Sequence, residues 1–417
     1  MRRIYLCIDL KTFYASVECV LRGLDPFKTD LVVADSTRGK GTICLAISPK
    51  MKERGIKNRC RFYEIPEGIN PIVAMPRMKK YIEYSAWIYS IYLKYVSKED
   101  IHVYSIDECF LDITTYLKLY KKEPIDIAKM IIDDVYKTTG ITATAGIGTN
   151  LYLTKIALDI TAKHVESHIG YLDEEKYKEE LWHHKPLTDF WQVGRGISKR
   201  LNNMGINDMY DLAHFDEDKL YKEFGVNAKL LIDHSWGIEP CTITDIKNYK
   251  RLDHSISNSQ VLFHDYDKTS ARKVLTEMVD SLVLQLVSMK KKTDQVFFYI
   301  GYSNDKETST KVNRKLNNPT SSFTKILNLI LSDYSTNTKA NSFIRRIGIS
   351  FHIANKNIVQ DDLFSEKIDE QGDTKLEEVM INIKNKYGKN SILRAVSYTE
   401  NATARSRNKL IGGHNAE

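Results

Sequence analysis

The pattern of apolar and polar positions in the first 165 residues alternates between strand and helix periods. Strand-like runs read RIYLCID (3–9), LVVAD (31–35), TICLAIS (42–48) and ITATAGIG (141–148). The run HVYSIDECFLDI (102–113) reads as two short strands that meet at Asp107 and Glu108. Helical spacing covers residues 13–23, 78–96, 125–136 and 151–162. The order β-α-β-β-α-β predicts a ferredoxin-like sheet.

The pattern changes after this segment. Residues 185–239 read as short helices with Gly turns, and a loop at 242–253 precedes a long helix at 268–292. Strands are predicted at 295–303 and 343–354, with a helix at 322–334 between them and a polar tail from Val359. The sequence therefore predicts a second α/β unit.

Charge is concentrated in that second unit. The chain of 417 residues has a net charge of +7, and residues 290–356 hold twelve Lys or Arg against four Asp or Glu. Such a local excess indicates a polyanionic partner, although a solvated basic face would have the same composition. No apolar run is long enough for a membrane span and the six cysteines form no CxxC pair, so we expect a cytoplasmic protein without a membrane partner.

Three acidic residues stand at predicted strand ends. Asp9 closes the first strand, and Asp107 and Glu108 lie at the turn between two others. Adjacent strands of one sheet could bring them together, with the backbone carbonyl of Leu10 as a further oxygen ligand. Oxygen ligands suit Mg²⁺, and two ions about 3.5–4 Å apart support phosphoryl transfer. An Asp-Glu pair at a strand end is, however, more often a solvated turn.

Longer motifs decide between these alternatives. IDLKTFYASVE (8–18) and YSIDECFLDI (104–113) resemble the signature motifs of the Y-family, or UmuC/DinB-like, DNA polymerases. AGIGTNLYLTKIALDITAK (145–163) and FWQVGRGISKRLNNMGI (190–206) resemble later segments of the same family, in the family's order. ISPKMKERGI and the closing ATARSRNKLIGGHNA resemble the UvrX/UmuC-like branch of Gram-positive bacteria, plasmids and phages.

The resemblance implies an α+β multidomain, right-hand polymerase fold. Its ferredoxin-like palm would comprise residues 1–10 and 78–165, and its small fingers residues 11–77. A helical thumb with a helix-hairpin-helix would cover 166–241, an α/β little finger 242–356, and a tail with a clamp-binding peptide 357–417. These boundaries predict that the basic segment lies in the little finger.

Residue roles in catalysis also follow from the resemblance. Asp9, Asp107 and Glu108, with Leu10, would hold two Mg²⁺ ions. Tyr14 would be the steric gate that excludes a 2′-hydroxyl, with Phe13 packed beside it, although aromatic residues at these positions could equally serve the core. Lys155 would contact the triphosphate.

The predicted fingers depart from the family pattern. Many members clamp the triphosphate with a Tyr and an Arg, whereas this chain has Pro49 and Lys52 at those places. Lys52 can neutralise phosphate but offers no bidentate fork, and Lys50 and Arg54 are alternative suppliers of positive charge.

Contacts to primer-template DNA are expected in two places. Val193-Gly194-Arg195-Gly196-Ile197 fits the hairpin of a helix-hairpin-helix, whose glycines let backbone N–H groups approach a phosphate. The expected thumb contacts are Gly194, Gly196, Lys199 and Arg200. In the basic unit, the candidates are Arg345 and Arg346, together with Lys290, Lys291, Lys292, Lys311, Arg314 and Lys315.

Further partners are implied by the tail and by the family. Gln360, Leu363 and Phe364 resemble the peptide by which bacterial polymerases bind the sliding clamp. The family also includes members that work with UmuD-like proteins or a recombinase, and the sequence leaves open whether this chain needs them.

Taken together, the sequence predicts a low-fidelity DNA polymerase that uses deoxynucleoside triphosphates in translesion synthesis and the SOS response. Two alternatives remain at this point. Palm-like sheets with paired acids also form nucleotide cyclases, and a chain with these features could be a catalytically weak DNA- and clamp-binding repair accessory. The predicted duplex grip argues against the first, and the complete carboxylate set argues against the second.

Overall fold

The computed structural model of the chain describes residues 2–250, 254–304, 306–354 and 370–417. They form two compact units, which we call unit 1 (Met1–Lys250 with His414–Glu417) and unit 2 (Arg251–Gly413). Within the described residues, no helix is both long and apolar enough to span a membrane.

Residues 2–250 of unit 1 contain eight strands and twelve α-helices. The strands are β1 (Tyr5–Leu10), β2 (Leu31–Val33), β3 (Ala46–Ile47), β4 (Ile72–Ala74), β5 (Ile101–Val103), β6 (Glu108–Asp112), β7 (Ala143–Gly148) and β8 (Ile169–Leu172). The helices are α1 (Phe13–Val20), α2 (Pro49–Glu53), α3 (Met78–Tyr92), α4 (Tyr116–Tyr120), α5 (Pro124–Thr139), α6 (Leu151–Asp159), α7 (Glu174–Leu181), α8 (Arg195–Asn203), α9 (Met209–Ala213), α10 (Glu217–Phe224), α11 (Ala228–Ser235) and α12 (Ile243–Asn248).

The largest sheet of unit 1 has five strands in the order β5-β6-β1-β7-β8. Strand β1 is antiparallel to both β6 and β7, and β5 is antiparallel to β6. This arrangement confirms the predicted ferredoxin-like topology, with β8 added in parallel at the edge. The sequence analysis did not predict β8.

Helix α6 packs very closely on this sheet because β7 carries two glycines. A Cβ built on Gly146 would lie 2.2 Å from the carbonyl oxygen of Thr154, and one on Gly148 would lie 2.4 Å from the Thr154 nitrogen. Real side chains do not tolerate such distances, so glycine is required at both positions. The close packing fixes the height of α6 above β1 and β7.

A tight turn joins β1 to α1. Thr12 adopts a left-handed backbone conformation with φ 47°, which is unusual for a β-branched residue. The turn is held by the Ser16 hydroxyl, which donates to the carbonyl of Lys11 at 2.7 Å, and by a 3.0 Å contact between the Thr12 and Ser16 hydroxyls. Asp9 at the strand end and the first turn of α1 are thereby placed close together.

A small sheet with the order β3-β2-β4 follows α1 in the chain. The predicted strands at 31–35 and 42–48 are both present but shorter, since β3 spans only two residues. Helices α8 to α11 form the helical region that was predicted for residues 185–239, and α7 and α12 lie outside the bounds of that prediction.

Unit 2 is a four-stranded antiparallel sheet with helices on one face. Its strands run in the order β11-β10-β12-β9, and the core lies between the sheet and two helices, α13 and α14. The elements are β9 (Ser255–Tyr266), α13 (Lys268–Ser288), β10 (Thr293–Tyr302), β11 (Thr310–Thr320), α14 (Phe323–Asn337), β12 (Ile344–Ile353), α15 (Glu370–Tyr387) and α16 (Ala404–Arg407), followed by the short strands β13 (Leu410–Ile411) and β14 (His414–Asn415), of which β14 belongs to unit 1.

Several elements near or in unit 2 differ from the prediction. The stretch 242–253, predicted as a loop that leads into the long helix, contains α12, and β9 stands before α13. Strand β11 was also missed, because its sequence TKVNRKLNNPT is polar and holds a Pro. The tail contains the 18-residue helix α15, which packs on α13 as an outer layer.

Candidate active site

Two of the three predicted carboxylates face each other across paired strands. Asp9 on β1 is the direct cross-strand partner of Glu108 on β6. Asp107 immediately precedes β6, and its carbonyl accepts a hydrogen bond from the backbone N–H of Leu10 at 3.0 Å. The structure therefore brings Asp9, Asp107 and Glu108 together, as the strand-end pattern predicted.

Glu108 has two contacts that the sequence analysis did not foresee. Its Oε1 atom accepts from the Cys7 thiol at 3.1 Å and forms an ion pair with Lys155 Nζ at 2.8 Å. Lys155 projects from α6 and also pairs with Asp159 at 3.1 Å. Burial by itself would lower the pKa of Lys155, but Asp159 and Glu108 outweigh burial and raise it. Lys155 is thus engaged by carboxylates at the base of the site.

Asp9 carries the largest electrostatic cost in this cluster. Burial, followed by repulsion from Asp107 and Glu108, raises the pKa of Asp9 to about 7, against the opposing effect of Lys155. Asp107 accepts a hydrogen bond from the Ser105 hydroxyl at 2.6 Å. The arrangement concentrates negative charge that nearby lysines only partly neutralise.

The metal-binding capacity of the site depends on the arrangement and the chemistry of its side chains. No group of three His, Cys, Asp or Glu side chains there has the arrangement of a preformed metal site. The donor set itself consists of carboxylate oxygens, which suit Mg²⁺, and the pKa of Asp9 is raised first by burial and then by the like charges of Asp107 and Glu108. The chemistry of these residues therefore fits a hard divalent cation.

Tyr14, predicted as the steric gate, stacks on a second tyrosine. The rings of Tyr14 and Tyr81 are 4.4 Å apart between centroids and 16° from parallel. Asp107 acts on Tyr14 electrostatically: burial and then this carboxylate raise the pKa of the Tyr14 hydroxyl. Phe13 is buried and its ring centroid lies 5.8 Å from that of Tyr14.

A fully buried carboxylate fixes Tyr81. The Tyr81 hydroxyl donates to Glu18 at 2.8 Å, and Arg77 donates to the same carboxylate through Nε at 3.0 Å and Nη2 at 2.6 Å. Burial would raise the pKa of Glu18, but hydrogen bonds from Arg77, Arg22 and Tyr81 lower it. The sequence analysis missed this network because its members lie on two different helices and no local motif links them.

The fingers residue Lys52 lies within electrostatic reach of Asp9. Burial lowers the pKa of Lys52, Asp9 opposes that shift, and Lys163 adds to it. Of the alternative suppliers, Lys50 donates to the carbonyl of Lys28 at 2.7 Å and Arg54 pairs with Asp30 at 3.0 Å. Of these three cations, Lys52 is therefore the one that interacts with Asp9.

Lys163 was not among the predicted site residues. It is exposed, follows α6 in the motif TAK (161–163), and acts on Lys52. The motif that pointed to Lys155 also contains Lys163, and sequence alone could not show which of the two is engaged by carboxylates.

The predicted hairpin begins helix α8. Gly194 is its N-cap, and the first intrahelical bond runs from the Ser198 N–H to the Gly194 carbonyl. The N–H groups of Arg195, Gly196 and Ile197 precede that bond, and space around both glycines is open. The preceding element is a three-residue 3₁₀ turn (Leu187–Asp189) and not the short helix that was predicted.

The two cations that follow the hairpin differ in their contacts. Lys199 is exposed and makes no ion pair within the described part of the chain. Arg200 pairs with Glu223 at 2.6 Å and its guanidinium lies 4.2 Å from the centre of the Phe224 ring. Arg200 thus binds α10, and its predicted contact with DNA is not supported by this geometry.

Unit 2 presents an open sheet face, opposite its two core helices. Ile347, Ile349 and Phe351 of β12 are buried in the core, so alternation places Arg346 on the open face. Arg345 lies next to a register shift and contacts Asp265 at 3.5 Å. Arg314 of β11 is held by Asp333, with 3.0 Å between Nε and Oδ2. The predicted clamp-binding residues Gln360, Leu363 and Phe364 lie outside the described residues.

Comparisons with known proteins agree with this architecture. The model of the impB/mucB/samB family matches residues 8–159, and the model of the impB/mucB/samB family C-terminal domain matches residues 253–363. UvrX of Bacillus subtilis (strain 168), named as a candidate UV-damage repair protein, is 34% identical over 99% of this chain and 98% of its own length. DNA polymerase IV 2 of the same organism is 31% identical over the same shares.

A solved structure shows the same fold. A Y-family DNA polymerase chimera aligns with a TM-score of 0.63 at 18% identity, covering 84% of this chain and 98% of the chimera. At that identity the likeness concerns the fold alone, and the full-length relatives supply the family. The chain belongs to the impB/mucB/samB family, as a UvrX-like member of the Y-family of DNA polymerases.

Proposed function

We propose that this protein is a template-directed DNA polymerase that adds deoxynucleotides to a primer 3′ end and copies past damaged template positions. The observation that carries the proposal is the convergence of Asp9, Asp107 and Glu108 beside Tyr14. The names of the full-length relatives, DNA polymerase IV 2 and the repair protein UvrX, agree with it. A role in the SOS response belongs to the same proposal.

Asp9, Asp107 and Glu108, with the carbonyl of Leu10, would hold two Mg²⁺ ions. When bound, such ions activate the attacking hydroxyl and stabilise charge on the leaving group. Lys155 orients Glu108 through their 2.8 Å ion pair and limits its repulsion with Asp9. The triphosphate contact predicted for Lys155 remains part of the proposal.

The incoming nucleotide would lie between the carboxylates and the fingers. Lys52 and Lys163 would attract its triphosphate as point charges. Tyr14, held in place by the Tyr81 ring, would exclude a 2′-hydroxyl, and Phe13 would support Tyr14 from the core.

DNA would be bound mainly through its phosphates. Consecutive backbone phosphates would be bound by the open N–H groups at Gly194 and Gly196, together with Lys199. Arg346, on the open face of unit 2, would bind phosphates elsewhere on the DNA. Such contacts carry no sequence information, as a polymerase requires. A sliding clamp that binds Gln360, Leu363 and Phe364 remains part of the proposal. Replacing Leu363 and Phe364 by Ala should remove clamp stimulation and spare synthesis without the clamp.

Primer extension with purified protein tests the proposal. We expect Mg²⁺-dependent extension, including across an abasic template site. Asp107→Ala should lower the extension rate by about 10³-fold, the scale of losing one transition-state stabilising group, while primer-template binding stays nearly unchanged. Asp126→Ala, a change at an exposed acid on α5, serves as the control. Extension retained by Asp107→Ala, or a cyclic nucleotide formed without primer, would contradict the proposal.

A further inference from the structure

A polar pocket lies in the outer layer of unit 2, beyond the residues that match the family's C-terminal domain. Its volume is about 330 Å³, and all of its lining residues fall between 390 and 409. No Asp or Glu is among them. The residues that matter to the argument are Asn390, Ser397, Tyr398, Thr399, Arg405 and Lys409.

The segment that forms this pocket is strongly basic. Residues 384–409 hold seven Lys or Arg and one acidic residue, Glu400, which gives a net charge of +6. Arg394 already forms ion pairs within unit 2, with Asp280 and Glu377. Arg405 and Lys409 are exposed and form no ion pair within residues 370–417 or the rest of the described chain. Their charge is therefore available to a ligand.

The walls of the pocket are held by hydrogen bonds. Glu277 of α13 is buried and accepts from the backbone N–H of Thr403 at 2.8 Å and of Ala404 at 3.0 Å, which anchors the start of α16. The Asn390 amide donates to the Arg405 carbonyl at 3.0 Å, and Asn408 donates to Asn390 at 2.8 Å. A site held in this way does not have to order its backbone when a ligand binds.

An exposed aromatic ring completes the arrangement. Tyr398 is 57% exposed, and the Arg405 guanidinium lies 5.2 Å from the centre of its ring. Cations beside an exposed ring suit a ligand that combines phosphates with flat bases. An acidic peptide would satisfy the cations and leave the ring unused, so the chemistry favours a single-stranded nucleic acid.

The pocket and the open sheet face lie on different sides of unit 2. Helix α15 and the segment that follows it pack on α13, which also contacts α14 and, in the sheet, β9 and β12. Arg346 points away from those helices. Unit 2 therefore has two separate basic surfaces.

We propose that this pocket binds single-stranded DNA, with phosphates on Arg405 and Lys409 and a base stacked on Tyr398. It is a second nucleic-acid contact, distinct from the primer-template contacts of the proposed polymerase site. A strand bound there is held by helices of the outer layer, while the sheet face stays free for duplex.

Salt-dependent binding tests the proposal on the full-length protein. The probe is a fluorescein-labelled thymidine oligonucleotide, read by anisotropy as the salt concentration changes. Each phosphate contact on a single strand contributes about 0.7 to the slope of log K against log salt, so Arg405→Gln with Lys409→Gln should lower the slope by about 1.4. Tyr398→Ala should weaken binding by about tenfold or more at an unchanged slope.

The matched control is Lys121→Gln with Lys122→Gln, which makes the same change in net charge at exposed residues of unit 1. An equal slope for the two double variants would overturn the proposal. A second measurement uses the unaltered protein: an oligonucleotide containing 4-thiothymidine should crosslink within residues 390–409, and crosslinks confined to other segments would also overturn it. Equal competition by a polyglutamate peptide would assign the pocket to acidic proteins instead. None of these measurements needs nucleotide or Mg²⁺, so polymerase activity does not affect them.

Discussion

Replacing Asp9 by Asn should stabilise the protein while it destroys the proposed metal site. The pKa of Asp9 rises from 3.8 to about 7 in the folded chain, because of burial first and then Asp107 and Glu108. An acid whose pKa is raised by folding costs stability wherever it is ionised in the unfolded state. The cost is absent below both pKa values, grows as the pH rises through this window, and is constant above it.

The shift sets the size of the effect. Three pKa units correspond to about 4 kcal/mol, since each unit is worth 1.36 kcal/mol. We therefore expect Asp9→Asn to be more stable than the unaltered protein by about 4 kcal/mol at pH 8 and by about 2 kcal/mol at pH 5.

Urea unfolding followed by tryptophan fluorescence measures this difference. All four Trp residues lie in unit 1, which contains Asp9, so the signal reports the unfolding of that unit. The measurement is made in EDTA, and Asp126→Asn is the control. Added Mg²⁺ should then stabilise the unaltered protein, by about 2.7 kcal/mol at 100 times its Kd, and leave Asp9→Asn unchanged. If Asp9→Asn and the unaltered protein had equal free energies of unfolding at both pH 5 and pH 8, Asp9 would not be electrostatically crowded.

Two further predictions concern the nucleotide and the DNA. Tyr14→Ala should raise kcat/KM for ribonucleotides relative to deoxynucleotides, and an unchanged ratio would show that Tyr14 is not the steric gate. Tyr81→Phe keeps the stacked ring, so it should preserve sugar discrimination while it costs about 1 kcal/mol of stability. Arg346→Ala should lower the salt slope of duplex binding by about 0.9. Arg314→Ala should leave the slope unchanged, because the Arg314 side chain is held by Asp333. Equal slopes for the two variants would mean that Arg346 does not contact phosphate.

The sequence was sufficient for the central strands of the five-stranded sheet because their signals are local. The apolar run before Asp9 and the turn at Asp107 and Glu108 each lie within one short segment, and strand pairing then places them side by side. The ferredoxin-like order follows from the same alternation. What remained hidden was the set of contacts between segments: Lys155 with Glu108, and Tyr81 with Glu18.

Unit 2 was harder to predict for a different reason. Strand β9 has consecutive polar residues at 257–260 and consecutive apolar residues at 261–263, and β11 is largely polar, so neither shows the alternating pattern of a strand. The outer helix α15 depends on buried charged groups of α13 for its position, which composition cannot reveal. Arg200 and Arg314 show the same limit of sequence-based prediction, because a basic residue can form an ion pair with an acid from another helix, which its own segment does not reveal.

The two glycines of β7 also constrain how this protein can evolve. Any side chain at Gly146 or Gly148 would collide with the backbone of α6, so substitutions are not tolerated at these positions of the sheet that carries the carboxylates. Lys52, by contrast, is an exposed residue of a five-residue helix, and its own substitution would meet no backbone contact of that kind. In the proposed polymerase, adaptation to new template lesions or nucleotides would therefore proceed through the segment that carries Lys52, with the five-stranded sheet inherited unchanged.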